Sequence, residues 1–231
     1  MERLSPKWVV AFGDGETIST LLMHRSKSLV TELLGQLPHL RTQIYFKSSL
    51  TALSHAMEDQ VFATADPPLV IASFQQERFY RQEAHRYRRL GKKSDHIYIF
   101  SALDTSFREN EQTCTTINFD PEDALAQEWH LTVIGKTFSS CLICRECPSN
   151  ETHQAVALDS ARRFEGIWTF DADVTKTATS LLFDKILYYR PELESQIKTA
   201  RKSYLQETLK AELTPERVNP DAFVERLVTH L

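Results

Sequence analysis

The run Leu69-Val70-Ile71-Ala72-Ser73-Phe74 constrains the fold more than any other stretch of the chain. It follows the turn-forming Asp66-Pro67-Pro68 and precedes a strongly charged segment. A continuous apolar run of this length, bounded by turn signals, reads as a strand buried on both faces. Such a strand needs partner strands beside it and helices above and below it.

The remaining sequence supplies both. Gln43-Ile44-Tyr45-Phe46, His96 to Phe100, Thr115 to Phe119, Trp129 to Ile134, Cys141 to Arg145 and Gly166 to Phe170 read as further strands. Trp8 to Phe12 reads as a short one, broken by Gly13-Asp14-Gly15. Gly135 to Ser140 joins two of these runs, which predicts an antiparallel pair. Within 16–37, helical periodicity is clearest from Ser26 to Leu37, and Pro38 stops it. A second helix is predicted over 50–62, with Ser48 or Ser49 as N-cap and Leu50, Leu53, Ala56, Met57 and Val61 on one face. A charged helix over 77–90 is ended by Gly91. Asp120 as cap and Pro121 at the first helical position predict a short helix to Gln127. Residues 148–161 read as a polar loop leading into a short helix. Asp173 or Thr175 opens a helix to about Tyr189, Pro191 interrupts it, and 192–212 and 215–230 read as less apolar helices.

The order predicts an α/β fold: a mixed central sheet flanked by helices, with a C-terminal helical extension. It divides into an N-terminal strand and helix extension (1–41), an α/β core (42–190) and a helical tail (191–231). A chain of 231 residues buries a substantial core without disulfides or metals. The 27 Lys and Arg against 31 Asp and Glu, a net charge of −4, argue against nucleic acid or an anionic membrane as main partner. No stretch reaches the roughly 18–20 apolar residues that span a bilayer. The 8–12 run is too short for a signal-peptide core, so a cytoplasmic location is expected. Four cysteines in that compartment are expected to be reduced unless they hold a metal or sense redox state.

Several constellations could carry chemistry. Cys141-x-x-Cys144-x-x-Cys147-Pro148 matches part of an iron–sulfur ligand run, and Cys114 could supply a fourth thiolate. Strand alternation opposes this, because Cys141 and Cys144 would point to opposite faces. In Gln127-Glu128-Trp129-His130-Leu131, Glu128 and His130 share a face only if the strand begins at 128. The 77–93 helix is rich in Arg and aromatics, which suits phosphate or RNA, or else a solvated face with Phe79, Tyr80 and Tyr87 packing down. Gly13-Asp14-Gly15 lacks the Lys of a phosphate loop and reads as a turn. No nucleophile elbow, His-Glu-x-x-His or kinase set is present, so no reaction is nominated and a non-enzyme is expected.

Four stretches taken together carry a resemblance: Ser49 to Asp59; Pro68 to Gln75 with Arg78, Tyr80, Gln82-Glu83 and Arg86-Tyr87; Ala126 to Leu131; and Arg163-Phe164-x-Gly166 to Phe170. In order and spacing, over roughly 42–185, they resemble the DICT domain, a sensory domain named for diguanylate cyclases and two-component systems and common in cyanobacteria. The resemblance implies a sensory or regulatory role, linked by proposal to light responses. It supplies no established ligand or catalytic set. The candidate ligand-binding residues are Glu58, Gln75, Arg78, Tyr80, Glu83, Tyr87, Glu128, Trp129, His130 and Trp168. The expected partners are a histidine kinase, a response regulator or a diguanylate cyclase, or a second copy in a homodimer. No cofactor is expected. An iron–sulfur or thiol redox sensor on Cys114, Cys141, Cys144 and Cys147 is the first alternative, and a nucleic-acid-binding regulator using 77–93 is the second.

Overall fold

The structure, a computed structural model, describes residues 27–102, 110–111, 114–136, 138–148, 159–206 and 220–231. The expected strand Trp8 to Phe12, the turn after it, most of the loop beyond Pro148 and the 207–219 part of the expected tail lie outside the described residues.

Among the described residues eight strands form one mixed sheet: β1 (Gln43–Phe46), β2 (Leu69–Phe74), β3 (His96–Ala102), β4 (Asn110–Glu111), β5 (Cys114–Phe119), β6 (Glu128–Ile134), β7 (Ser139–Glu146) and β8 (Arg163–Thr169). Their order across the sheet is β1-β8-β7-β6-β2-β3-β5-β4. The pairs β2/β3 and β3/β5 are parallel, and every other pair is antiparallel. The antiparallel β6/β7 pair is the one its connecting turn predicts.

β2 sits inside the sheet between β6 and β3. Leu69 and Ile71 enter one core, and Val70 and Ala72 enter the other. Both faces of the strand are therefore apolar, which is why the run reads as continuous. The first core lies under α1 (Leu29–Gln36), α4 (Ala172–Tyr189) and α5 (Glu194–Ala200), which continues as a π-helical turn, Arg201–Gln206. The second lies under α2 (Lys47–Ala63), α3 (Glu77–Gly91) and α6 (Pro220–His230). The tail helices join these cores: Ile197 is buried in the first and Phe223 in the second.

Several helix starts differ from the sequence reading. α2 begins at Lys47, not at 50, and neither Ser48 nor Ser49 caps it. β1 is pinned to β8, and the Lys47 N–H bonds to the Arg162 carbonyl at 2.8 Å, so the strand hands over directly to the helix. Asp120 opens an Asx turn instead of a helix, its side chain accepting from the Glu122 N–H at 2.9 Å. The helical turn that follows is a 3₁₀ segment, Ala124–Gln127, capped by Asp123. α4 is capped by Asp171, which accepts from the Asp173 and Val174 N–H groups, and not by Asp173 or Thr175. Gly91 is the last residue of α3 without a left-handed conformation.

Of the glycines at 35, 135 and 166, Gly166 leaves least room for a side chain. A Cβ there would meet the Ile143 carbonyl oxygen at 2.1 Å and the Cys144 Sγ at 2.7 Å. Glycine lets β8 lie against β7 at this point.

Candidate functional site

A cleft of about 190 Å³ opens between α2 and α3, over the carboxyl end of β2 and the start of β6. There the sheet passes from a parallel pair, β2/β3, to an antiparallel one, β2/β6. Breaks of this kind at strand carboxyl ends are where α/β folds leave room for ligands.

Each wall follows from local periodicity. On α2, Lys47, Thr51, Ser54, His55 and Glu58 fall on one stripe. On α3, Phe79, Gln82, Glu83 and Tyr87 do the same. β2 contributes Phe74, whose ring meets Tyr80 and Tyr87 edge-on, each at 5.4 Å. Trp129 comes from β6; its Nε1–H donates to Ser54 Oγ at 3.1 Å, and its ring packs edge-on against Phe164. Gln75, just beyond β2, is fixed by Glu146 at 2.9 Å and by Arg162 at 2.6 Å, which ties the cleft's rim to β7 and to the start of β8.

The polar end of the cleft is a network. Glu58 is 3 % exposed. It accepts from the Tyr87 hydroxyl at 2.8 Å and from Arg86 Nε. Arg86 also donates to Asp59 at 2.6 Å and to the His55 carbonyl at 2.8 Å. His55 Nε2 lies 3.4 Å from Glu83 Oε2. Burial pushes the Glu58 carboxyl above the usual carboxylate range, even against the pull of Arg86 and Tyr87. Burial and Glu58 together push the Tyr87 phenol well up. The hydrogen bond to Glu83 raises His55, and the same bond holds Glu83 down.

Of the ten residues the sequence nominates, Glu58, Gln75, Glu83, Tyr87, Trp129 and His130 line the cleft. His130 does so through its backbone, because alternation along β6 sends its side chain to the opposite face from Trp129 and Leu131. Tyr80 is buried beside the cleft among the aromatic rings. Arg78 stands over the Phe79 ring at 4.9 Å, outside the cleft. Trp168 lies on β8 and stacks on Phe223 of α6. Residue type alone missed Lys47, Thr51, Ser54 and His55. Their helical spacing with Glu58 is the signal, once α2 is known to start at Lys47.

Glu128 belongs to the other face. β6 begins at Glu128, so Glu128 and His130 share a side, with His130 Nε2 3.0 Å from Glu128 Oε2. The carboxylate also receives the Ser28 hydroxyl and the Leu29 N–H at 3.2 Å, at the N-terminus of α1. Burial alone would raise this group; His130, Ser28 and the Leu29 amide outweigh it and hold the carboxyl below its ordinary range. Ser73 pairs directly with His130 across β2 and β6. The series Glu128, His130, Ser73 mimics a hydrolytic triad, yet Ser73 Oγ makes no hydrogen bond among the described residues, and all three side chains are sealed from solvent.

The four cysteines do not converge, which removes the ligand set of the iron–sulfur alternative. Cys141 enters the first core and Cys144 the second, as strand alternation requires. Cys114 shares the second core but lies four strands from β7, about 19 Å at the usual strand spacing. Among the described residues no group of three His, Cys, Asp or Glu side chains could hold a metal ion. Burial pushes the Cys141 thiol up to about 12 and raises Cys144 as well, which makes both poor nucleophiles. The basic helix is also partly spent internally: Arg86 serves Glu58 and Asp59, Arg81 pairs with Glu77, and Arg89 covers the Phe62 ring at 5.0 Å.

Comparison with known families gives this site its context. Residues 27–147, more than half of the 231, match the sequence profile of DICT, a sensory domain in diguanylate cyclases and two-component systems. The chain belongs to the DICT family. It is a sensory signalling module, and sensory domains of this kind are coupled to signalling proteins. Residues 158–231 match a second profile, CHASE6_C, the C-terminal domain of a two-partite extracellular sensor domain. No curated protein and no solved structure matches the chain. The DICT match starts before the 42–185 stretch suggested by the sequence resemblance and ends inside it, at residue 147. The sheet crosses the gap between the two matches, because β8 lies in the second and pairs with β7 and β1 in the first. Among the described residues no helix is long and apolar enough to cross a membrane.

Proposed function

We propose that this DICT domain is a non-catalytic receptor whose cleft between α2 and α3 binds a small, planar, polar molecule. One observation carries the reading: aromatic side chains (Phe74, Phe79, Trp129) and hydrogen-bonding groups (His55, Glu58, Glu83) converge on one hollow at the end of a central strand. Aromatic walls favour a flat ligand, and the charged edge sets its orientation. The α/β core, expected over 42–190, is the sensing unit, and the helical tail from 191 is the contact surface for a histidine kinase, response regulator or diguanylate cyclase. A homodimer through the same tail is a further partner class. The four free thiols suit a reducing, cytoplasmic setting. A role in light responses would require the bound molecule to be coloured.

The test is native mass spectrometry and an absorption spectrum of the chain purified from its own cells. The expected result is a small-molecule adduct retained by the wild type and absent from Trp129→Ala and Glu83→Gln. An adduct that survives both substitutions overturns the reading, and so does a chain that carries none and gains no thermal stability from any of a panel of aromatic metabolites.

A further inference from the structure

The polar end of the cleft is also the seat of the C-terminal helix. Leu227 of α6 packs against the second core, and three further contacts fix the helix. Phe223, fully enclosed, stacks on Trp168 with ring centroids 5.3 Å apart and meets Phe170 edge-on at 4.9 Å. Arg226 donates to the Gln60 side chain. His230 Nε2 lies 2.7 Å from Asp59 Oδ2, and its ring stands 5.1 Å from His55. The last two contacts fall on α2, at Gln60, at Asp59 beside Glu58 and at the cleft-lining His55.

These contacts are continuous with the cleft. Asp59 divides its two oxygens between His230 and Arg86. Arg86 divides its guanidinium between Asp59 and Glu58. Glu58 divides its carboxylate between Arg86 and Tyr87, and both Glu58 and Tyr87 line the cleft. A parallel route runs from Glu83 in the cleft to His55 and on to the His230 ring. Arg86 is thus one cation serving two carboxylates, one facing the cleft and one holding α6. A half-buried network of this kind acts as a unit, so removing one member loosens the others.

We propose that α6 is a latch whose docking is coupled to the state of the cleft through Glu58, Arg86 and Asp59. This rests on reading the cleft as the sensory site and adds how its state leaves the domain. A ligand that engages Glu58 takes a support from Arg86, Arg86 weakens its hold on Asp59, and α6 loosens. By linkage, the docked helix and the ligand then change each other's affinity by the same factor. The output of the sensor is a helix released from α2.

The experiment needs no ligand. Tyr87→Phe keeps the ring in its aromatic cluster and removes only the hydroxyl that bonds to Glu58; among the described residues Tyr87 makes no hydrogen bond or ring contact with α6. Hydrogen exchange on the full chain is expected to show the amides of residues 224–230 exchanging about tenfold faster, while the centre of β6 and β7 keeps its protection. Glu83→Gln, at a half-exposed position, should act in the same direction by about threefold. His230→Ala combined with Tyr87→Phe should accelerate α6 by less than the product of the two single effects. Unchanged α6 exchange in both Tyr87→Phe and Glu83→Gln, with faster exchange in His230→Ala, overturns the latch and leaves the receptor reading standing. A responsive α6 in a chain that neither carries an adduct nor gains thermal stability from the aromatic panel supports the latch while removing the receptor reading.

Discussion

Each face of the sheet buries a glutamate, and the two are held in opposite ways. Glu128, under α1, takes the Ser28 hydroxyl, the Leu29 amide and His130, and its carboxyl is held below the ordinary range. Glu58, under α2 and α3, has Arg86 and the Tyr87 hydroxyl, yet burial still pushes its carboxyl upward. The partners of the first group outweigh its burial. At the second, burial outweighs Arg86 and Tyr87, and the group stands beside a cleft. A buried charge that its partners hold below its ordinary range serves architecture; one that burial still penalises, with a hollow next to it, can exchange partners.

The sharpest way to break the comparison is to remove what both faces share. Gly166→Ala drives a methyl into the Ile143 carbonyl and Cys144, so it should cost about 4 kcal/mol of stability by urea denaturation and damage both faces at once. Preserved stability would show that β8 can shift away from β7. Next in size, Glu128→Gln should cost about 3 kcal/mol by the same measurement, because it leaves His130 and the α1 amides without their carboxylate. Cleft behaviour, read by Trp129 fluorescence, should stay as in the wild type.

The two glutamates should also bend the pH profile in opposite senses. A carboxyl lowered by folding, as in Glu128, adds stability above its unfolded value that is lost as pH falls through the folded one. A carboxyl raised by folding, as in Glu58, binds its proton more tightly in the native state, so stability declines as pH rises from the ordinary 4.5 towards the raised value. Urea midpoints against pH should lose the rising component in Glu128→Gln and the falling component in Glu58→Gln. Matching profiles would end the contrast. The smallest effect is expected for Cys147→Ser, within about 0.5 kcal/mol and with no change in iron content or absorption. Loss of colour or iron in that variant would restore a cluster to consideration.

Local rules made much of the fold legible. β2 was readable from its unbroken apolar run, β6 and β7 from alternation and the turn between them, and α4 from its periodicity and Pro191. Strand order was not. β1 pairs with β8 about 120 residues later, and no local pattern specifies such a partner. The start of α2 was misplaced for a related reason, since pairing with β8 overrides the pull of Ser48 and Ser49 towards capping. In the site, residue type pointed to Glu58, Glu83, Tyr87 and Trp129, while His55 needed the helix register. The separation of Glu128 from Trp129 follows from strand alternation, but only once β6 is known to begin at residue 128.

The position of β8 bears on how this protein can be divided. A cut between residues 147 and 158 would follow the two family matches, yet it would strip β7 of one neighbour and leave β1 with none. Each fragment would carry a raw strand edge of unpaired amides and carbonyls, of the kind that recruits other chains into aggregates. On the β1 side, Ile44 and Phe46 are exposed already and would add apolar surface to that edge. Whatever gene fusions place this sensor beside other domains, the segment from 43 to 169 must travel intact.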